Sequence, residues 1–226
     1  MKKCLFFLLL IVSLSALIAV ESDPSATVGY FKKSIASGGW EAFSLPFSYP
    51  VLSPDSVLGA QFGDLDMIID MNSPFGDNAM YLVGVGWIGT IVEMAYGNSY
   101  WISRDYANPT TDYFLMGKVD PHELNIHVSG LDEGGWSAFG LNEARPIDVN
   151  TLAITGVQDL DMIIDISSPF GDNAMYLDGI GWIGTLTNIN PTYGYWYNSG
   201  AAVSYNWTYT PAARSSNQPS TSRTKK

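Results

Sequence analysis

The chain has 226 residues, enough for one large domain or two small ones. Hydrophobic residues make up 46% of it and charged residues only 15%, which excludes a disordered tail protein and a long coiled coil. Residues 23–211 carry 5 basic and 21 acidic side chains, a formal charge of −16. Because so acidic a body repels nucleic acid and anionic lipid, we expect no nucleic-acid partner.

The first residues have the pattern of a targeting segment. Lys2 and Lys3 precede an apolar run over residues 4–20, which predicts a bacterial-type secretory signal at residues 1–22. The alternative is an uncleaved anchor, the one way in which we expect the chain to contact a membrane. The predicted location is secreted or at the cell surface, including the periplasm. Removal of the signal removes Cys4, the single cysteine, and leaves no thiol for a disulfide, a nucleophile or a metal.

An internal duplication organises the rest of the chain. Residues 64–90 and 159–185 are identical at 23 of 27 positions, and weaker matches extend in both directions. Two copies of this length predict two tandem units. We call residues 27–118 the first module and residues 121–211 the second module. Residues 212–226 are polar and basic and are predicted to form a disordered tail.

Short strands separated by turns are predicted in each module. In the first module Ser53 is a candidate N-cap, with Pro54 at the first helical position of a brief turn. The predicted segments, in chain order, are residues 27–35, a Trp40 strand after Gly38-Gly39, a helical turn at 53–60, and strands at 65–71, 79–83, 87–93, 100–103 and 113–116. The second module begins with a strand at residues 124–128. The fold class is therefore all-β: two tandem, homologous, small antiparallel sandwiches or barrels, with room for one short helix in each.

Alternation along residues 64–70 predicts which side chains form the core. Asp64, Asp66, Ile68 and Asp70 would share one face, and Leu65, Met67 and Ile69 the other. We expect the leucine face to be buried, because burying Asp66 unpaired would cost several kcal/mol. The same pattern predicts burial of the equivalent residues of the second module and of one tryptophan nearby in each copy: Leu160, Met162, Ile164, Trp87 and Trp182.

The repeated acidic residues are candidate calcium ligands. Carboxylates on one strand face, with an aspartate from the adjoining turn, supply the hard oxygen ligands that Ca²⁺ prefers in an extracellular setting. The candidates are Asp64, Asp66, Asp70 and Asp77 in the first module and Asp159, Asp161, Asp165 and Asp172 in the second. The alternative is a solvated acidic face, since a straight strand spaces alternate side chains about 7 Å apart.

The aromatic residues offer a second candidate site. Six of the seven tryptophans occupy equivalent positions in the two copies. They either fill the two cores or form a platform on which a sugar stacks. The platform candidates lie next to a turn in each module: Tyr100, Trp101, Tyr195, Trp196 and Tyr197.

Catalytic patterns are weak in this sequence. His122 and His127 are five residues apart, so on a strand they would point to opposite faces and share no metal. Asp70 with Asp77, or Asp165 with Asp172, would supply a glycosidase pair, but short tandem domains leave little room for a deep cleft. We therefore predict that the protein is not an enzyme and has no cofactor other than calcium.

Four motifs occur in the same order in each copy: Gly-Gly-Trp, Asp-Met-Ile-Ile, Gly-Trp-Ile-Gly-Thr and Tyr-Trp. Through these motifs, each copy resembles the tandem β modules of secreted bacterial cell-surface proteins. The resemblance covers nearly all of both modules and implies no catalytic residues. The expected function is a non-catalytic structural or adhesive component of a bacterial cell envelope. The alternative is a carbohydrate-binding module with exposed tryptophan and tyrosine rings. The expected partners are other envelope proteins or surface glycans.

Overall fold

The computed structural model describes residues 27–73, 75–168 and 171–211. The predicted signal at 1–22 and the predicted tail at 212–226 lie outside the described residues. No helix in the described part of the chain has the length and apolar character needed to cross a membrane.

The first module contains two antiparallel sheets. A five-stranded sheet has the order β2-β6-β3-β4-β5, and β1 pairs with β7 in a separate two-stranded sheet. The elements are β1 (Val28–Ile35), β2 (Trp40–Phe43), α1 (Pro54–Leu58), β3 (Met67–Asp70), β4 (Asn78–Leu82), β5 (Gly86–Gly89), β6 (Tyr100–Ser103) and β7 (Thr111–Lys118).

The second module repeats this plan. Its five-stranded sheet has the equivalent order β9-β15-β11-β12-β13, and β8 pairs with β16. A short additional sheet pairs β10 with β14. The elements are β8 (Leu124–Val128), β9 (Trp136–Phe139), β10 (Ile147–Asp148), β11 (Met162–Asp165), β12 (Asn173–Leu177), β13 (Gly181–Gly184), β14 (Asn188–Ile189), β15 (Tyr195–Asn198) and β16 (Tyr205–Tyr209), with 3₁₀ turns at Leu131–Glu133 and Val149–Thr151.

The strand registers of the two central hairpins agree. Met67 lies opposite Met80 in the first module, and Met162 lies opposite Met175 in the second. The predicted helical turn is also present, because the Ser53 hydroxyl accepts a hydrogen bond from the Ser56 amide and Pro54 opens the helix. The all-β prediction is confirmed.

Each module has its own hydrophobic core between its two-stranded and five-stranded sheets. In the first module, Ile35 and Tyr113 from the smaller sheet pack with Phe43, Ile68 and Ile102 from the larger one. The second core uses equivalent strands around Phe139, Ile163, Tyr195 and Trp207. The architecture is thus a pair of small sandwiches.

The predicted core face of β3 and β11 is wrong. Leu65 and Leu160 are 53% and 59% exposed, whereas Asp66 and Ile68 are fully buried. Met67 and Ile69, like Met162 and Ile164, lie half-buried on the outer face. The residues alternate as predicted, but the inner face is the one that carries Asp66 and Ile68, and both leucines lie just before their strands with a left-handed backbone, φ 69° and 71°. Trp87 and Trp182 are buried as predicted.

The two modules contact each other through equivalent segments. The Ser44 amide donates to the Thr192 carbonyl at 3.0 Å, and the Gly140 amide donates to the Gly97 carbonyl at 3.1 Å. Because Ser44 and Gly140 each follow the phenylalanine that ends β2 or β9, these two bonds are equivalents of one another. The modules are therefore related by an approximate two-fold arrangement at this contact.

Asn72 adds a link that has no described counterpart. Its side-chain amide nitrogen donates to the Ala138 carbonyl and its side-chain oxygen accepts from the Ala138 amide, both at 2.6 Å. The Asn72 side chain thus pairs with β9 of the second module as a short strand would. It sets the position of the turn after β3 relative to that strand.

Candidate functional site

The innermost repeated aspartates are buried with full sets of partners. In the first module the Asp66 carboxylate forms an ion pair with Arg104, which is also buried, and accepts from the Gly63 and Asp105 amides at 2.8 and 2.9 Å. A carboxylate in this environment is paired and hydrogen-bonded, which offsets the free-energy cost of burying its charge.

The second module satisfies the equivalent aspartate without a cation. The Tyr197 hydroxyl donates to Asp161 at 2.6 Å, and the Gln158 and Gly200 amides donate at 2.9 and 2.7 Å. Burial, followed by the hydrogen bond to Asp161, raises the pKa of Tyr197. The buried carboxylate is therefore present in both modules, whereas its arginine partner is present only in the first and is replaced in the second by a tyrosine hydroxyl.

The remaining repeated aspartates each hold a turn. The Val83 amide donates to Asp64 at 2.6 Å, and the Asp178 amide donates to Asp159 at 3.0 Å. Asp70 accepts from the Asn72 amide and Asp165 from the Ser167 amide, both at 2.8 Å. The contacts of Asp70 and Asp165, which span two residues, are Asx-turns, whereas Asp64 and Asp159 each accept from an amide 19 residues later, in the turn between the next two strands.

Asp77 and Asp172 close the turn after β3 and after β11. Each carboxylate accepts from the serine four residues earlier, at 2.8 Å in both modules. This hydrogen bond lowers the pKa of Asp77 and of Asp172, whereas burial raises the pKa of Asp70 and of Asp165. In each turn, therefore, the pKa of one carboxylate lies above its ordinary value and the pKa of the other lies below it.

The structure does not bring either predicted calcium quartet together. Among residues 27–73, 75–168 and 171–211, no group of three or more His, Cys, Asp or Glu side chains lies close enough to hold a metal ion. Asp66 and Asp161 are both buried and so do not belong to a solvated acidic face. The alternative interpretation is therefore wrong for these two residues. Calcium binding stays a prediction, which calorimetric titration with calcium chloride tests.

The structure also divides the predicted aromatic platform by strand alternation. Tyr100, Tyr195 and Tyr197 are at most 1% exposed and point into the cores, so the expectation that they present rings to a ligand is wrong. The Tyr100 and Tyr195 hydroxyls accept from the Ala95 and Asn190 amides, both at 2.6 Å. These three tyrosines therefore build the fold.

Trp101 and Trp196 face outward, and each is joined by a tryptophan that the platform prediction omitted. Trp40 packs edge-on against Trp101 with ring centroids 6.4 Å apart, and Trp136 packs against Trp196 at 6.3 Å. Trp40 and Trp136 remain 56% and 47% exposed. The repeated Gly-Gly-Trp string was the signal that marked them. We call these the first and second tryptophan pairs.

A groove lies beside the second tryptophan pair. It has a volume of about 540 Å³, and its walls come from both modules. We call it the inter-module groove, and its lining includes Asn72, Ser73, His127, Glu133, Trp136 and Trp196.

His127 is in the groove and His122 is elsewhere. The His127 Nε2 lies 2.7 Å from a Glu133 carboxylate oxygen, and this hydrogen bond lowers the pKa of Glu133. His122 contacts Asn142 at 2.9 Å and packs edge-on against Tyr96. The two histidines occupy separate environments, and His122 lies before β8, so the strand-face argument applies only to His127.

Comparison with protein-family models, with curated proteins and with solved structures finds no match to this chain.

Proposed function

We propose that this protein is a secreted, non-catalytic structural or adhesive component of a bacterial cell envelope. The observation that carries the proposal is that the first and second tryptophan pairs face outward from equivalent sheets of the two modules. Large aromatic rings left exposed at equivalent positions of a duplicated fold are typical of contact surfaces, because exposed tryptophan costs free energy unless a partner covers it. Two such surfaces on one chain favour attachment through avidity.

The placement of the acidic residues supports a non-catalytic role. The repeated carboxylates hold turns or are buried with partners, and the two carboxylates of each turn accept hydrogen bonds from their own turn residues. Secretion rests on the predicted signal at residues 1–22, and the proposed partners are other envelope proteins or surface glycans.

A carbohydrate-binding module is the second candidate. It is favoured by the accessibility of Trp40 and Trp136, because the apolar C–H faces of a sugar ring pack well on an indole ring. Both candidate functions use the surface formed by the tryptophan pairs. They differ in whether an envelope protein or a glycan binds there.

Sedimentation of the purified chain with isolated bacterial envelopes tests the proposal, and a panel of insoluble polysaccharides in parallel separates the two candidates. The double variant Trp40→Ala/Trp136→Ala should remain in the supernatant. The variant Phe75→Ala is the matched control, because that ring is 94% exposed and belongs to neither pair. No sedimentation of the wild-type chain with envelopes, or equal sedimentation of the double variant, would contradict the proposal.

A further inference from the structure

We infer that the inter-module groove binds neutral sugar residues of a glycan, and that the equivalent face of the first module does not. This inference deepens the carbohydrate arm of the proposed function and rests on it. It assigns one asymmetric sugar site to a chain whose fold is duplicated.

The aromatic part of the groove suits the face of a sugar ring. The Trp136 and Trp196 rings meet at 90°, so one ring forms a floor and the other a side wall. Trp136 is 47% exposed, which leaves ring surface open to a ligand. A pyranose presents apolar C–H groups on its faces and hydroxyls at its edge, and a concave site with an aromatic floor and a few placed polar groups matches both.

The polar part of the groove suits sugar hydroxyls. The His127 and Glu133 side chains are 55% and 50% exposed although they hydrogen-bond to each other. Each therefore keeps capacity for a second partner: Glu133 accepts, and His127 donates or accepts with its other ring nitrogen. Ser73 lines the groove from the first module, and because its hydroxyl already donates to Asp77, it offers the ligand only an acceptor. Since every sugar hydroxyl both donates and accepts, this mixture satisfies it without a full ionic charge on the ligand.

The groove depends on the contact between modules. Asn72 holds Ala138 by two hydrogen bonds of 2.6 Å, and the next residue along the chain, Ser73, lines the groove. This positions Ser73 against the tryptophans of the second module. The volume of about 540 Å³ lies within the range of small-molecule sites.

The first module lacks the polar half of the site. If the buried residues Ile35 and Val128 that end β1 and β8 are aligned, Ser34 occupies the position of His127. Two residues separate Ile35 from Gly38, whereas five separate Val128 from Gly134, and Glu133 lies in this longer connection. The first tryptophan pair is therefore not accompanied by a histidine–glutamate pair.

Charge restricts the class of glycan. Residues 23–211 carry a formal charge of −16, and Glu133 lines the groove itself. A uronate or sulfated chain would meet repulsion both from the whole molecule and at the site. Uncharged hexose or N-acetylhexosamine residues do not.

Calorimetric titration of the purified chain tests the inference with four probes: cellohexaose, chitohexaose and mannohexaose as neutral chains, and a guluronate hexasaccharide as an acidic one. We expect at least one neutral probe to bind and the guluronate to show no binding. The Trp136→Ala variant should lose affinity by about tenfold or more, and Glu133→Gln by about threefold to tenfold. The matched variants Trp40→Ala and Ser34→Ala should stay within about twofold of the wild type.

Indole N–H signals in NMR spectra of the wild-type chain keep the test independent of any variant that unfolds. The Trp136 and Trp196 signals should shift on adding the bound probe, while those of Trp40 and Trp101 should not. Absence of binding by all neutral probes at about 10 mM overturns the inference, as does an equal loss in Trp40→Ala. If the chain still sediments with envelopes in that case, the proposed function stands and only the sugar site falls.

Discussion

At the scale of single residues, one buried position shows two ways to accommodate the same charge. Asp66 and Asp161 are equivalent and are 0% and 1% exposed. Arg104 neutralises the first, whereas a tyrosine hydroxyl and backbone amides satisfy the second. A buried ion pair is costly to break from one side, because the remaining charge is left without compensation.

Replacing Arg104 by glutamine should therefore lower the free energy of unfolding by about 3–5 kcal/mol. Urea denaturation followed by far-UV circular dichroism measures this loss. Lys32→Gln is the matched control, since Lys32 and Asp112 form an ion pair at 2.7 Å with side chains 56% and 43% exposed. That variant should change stability by at most about 1 kcal/mol. Similar losses in the two variants would show that the buried pair contributes no more than a surface contact.

The two carboxylates of the turn after β3 make opposite predictions for pH. Burial raises the pKa of Asp70, so the folded chain binds this proton more tightly than the unfolded chain does. The contribution of Asp70 to stability is then largest below pH 3.8 and falls as pH rises through its folded pKa. The Ser73 hydrogen bond lowers the pKa of Asp77, so its contribution is present above pH 3.8 and is lost as pH falls through its folded pKa.

Unfolding curves at pH 3 and pH 7 for Asp70→Asn and Asp77→Asn check these signs. The free energy of unfolding of Asp70→Asn, relative to that of the wild type, should be higher at pH 7 than at pH 3. The reason is that the substitution removes a carboxylate whose ionisation is unfavourable in the folded state. For Asp77→Asn, the free energy of unfolding relative to that of the wild type should be lower at pH 7 than at pH 3. Each variant serves as the control for the other, and a change of the same sign in both would contradict the assignment.

At the scale of elements, the contact between modules combines equivalent backbone bonds with asymmetric side-chain bonds, among them those of Ser44 to Tyr193 and of Ser99 to Phe139. The backbone bonds from Ser44 to Thr192 and from Gly140 to Gly97 are two-fold equivalents. The double hydrogen bond of Asn72 to Ala138 is not repeated, because the residue equivalent to Asn72 is Ser167. The Ser167 hydroxyl is buried and has no hydrogen-bond partner within the described residues.

Asn72→Ala should lower the free energy of unfolding by about 1–3 kcal/mol, since it leaves the amide and carbonyl of Ala138 unpaired. Differential scanning calorimetry measures the loss and shows whether unfolding of the two modules separates. Ser167→Ala should be neutral or slightly stabilising, because it removes a buried hydroxyl without a partner. If Ser167→Ala lowered the free energy of unfolding as much as Asn72→Ala, the Asn72–Ala138 hydrogen bonds would not be the source of the stabilisation.

At the scale of the whole molecule, both cores are built around tyrosine. Tyr100, Tyr113, Tyr195, Tyr197 and Tyr209 are all buried, and they lie in the sheets of both modules. Burial raises the pKa of Tyr100 to about 12 and raises the pKa of the others as well. The reason is the cost of placing a phenolate in an apolar core.

These tyrosines predict cooperative unfolding by alkali. A raised pKa in the folded state means that their contribution to stability is complete below pH 10 and is lost as pH rises through the folded pKa, near 12 for Tyr100. Absorbance at 295 nm should show a step of tyrosine ionisation above pH 10 that coincides with loss of the circular dichroism signal. A single smooth titration completed before unfolding would show that the buried phenols reach solvent in the native state.

Local features of the sequence were sufficient to predict most elements. Strands β1, β6 and β8 and the capped turn α1 lie where alternation, Ser53 and Pro54 predicted them. The duplication likewise predicted one strand order for both modules, since shared turns and shared apolar positions specify shared pairing. These signals act over a few residues, which is why they are visible in the sequence.

Contacts between distant residues decided the rest. Asp66 is accommodated on the inner face because Arg104, 38 residues later, is placed to meet it. The inter-module groove needs Ser73 from one module and Trp136 from the other, held together by Asn72 and Ala138, which are 66 positions apart. Periodicity within the strand predicts two faces but not which of them is buried, because the free energy of burying a charge depends on partners that only the folded chain brings near.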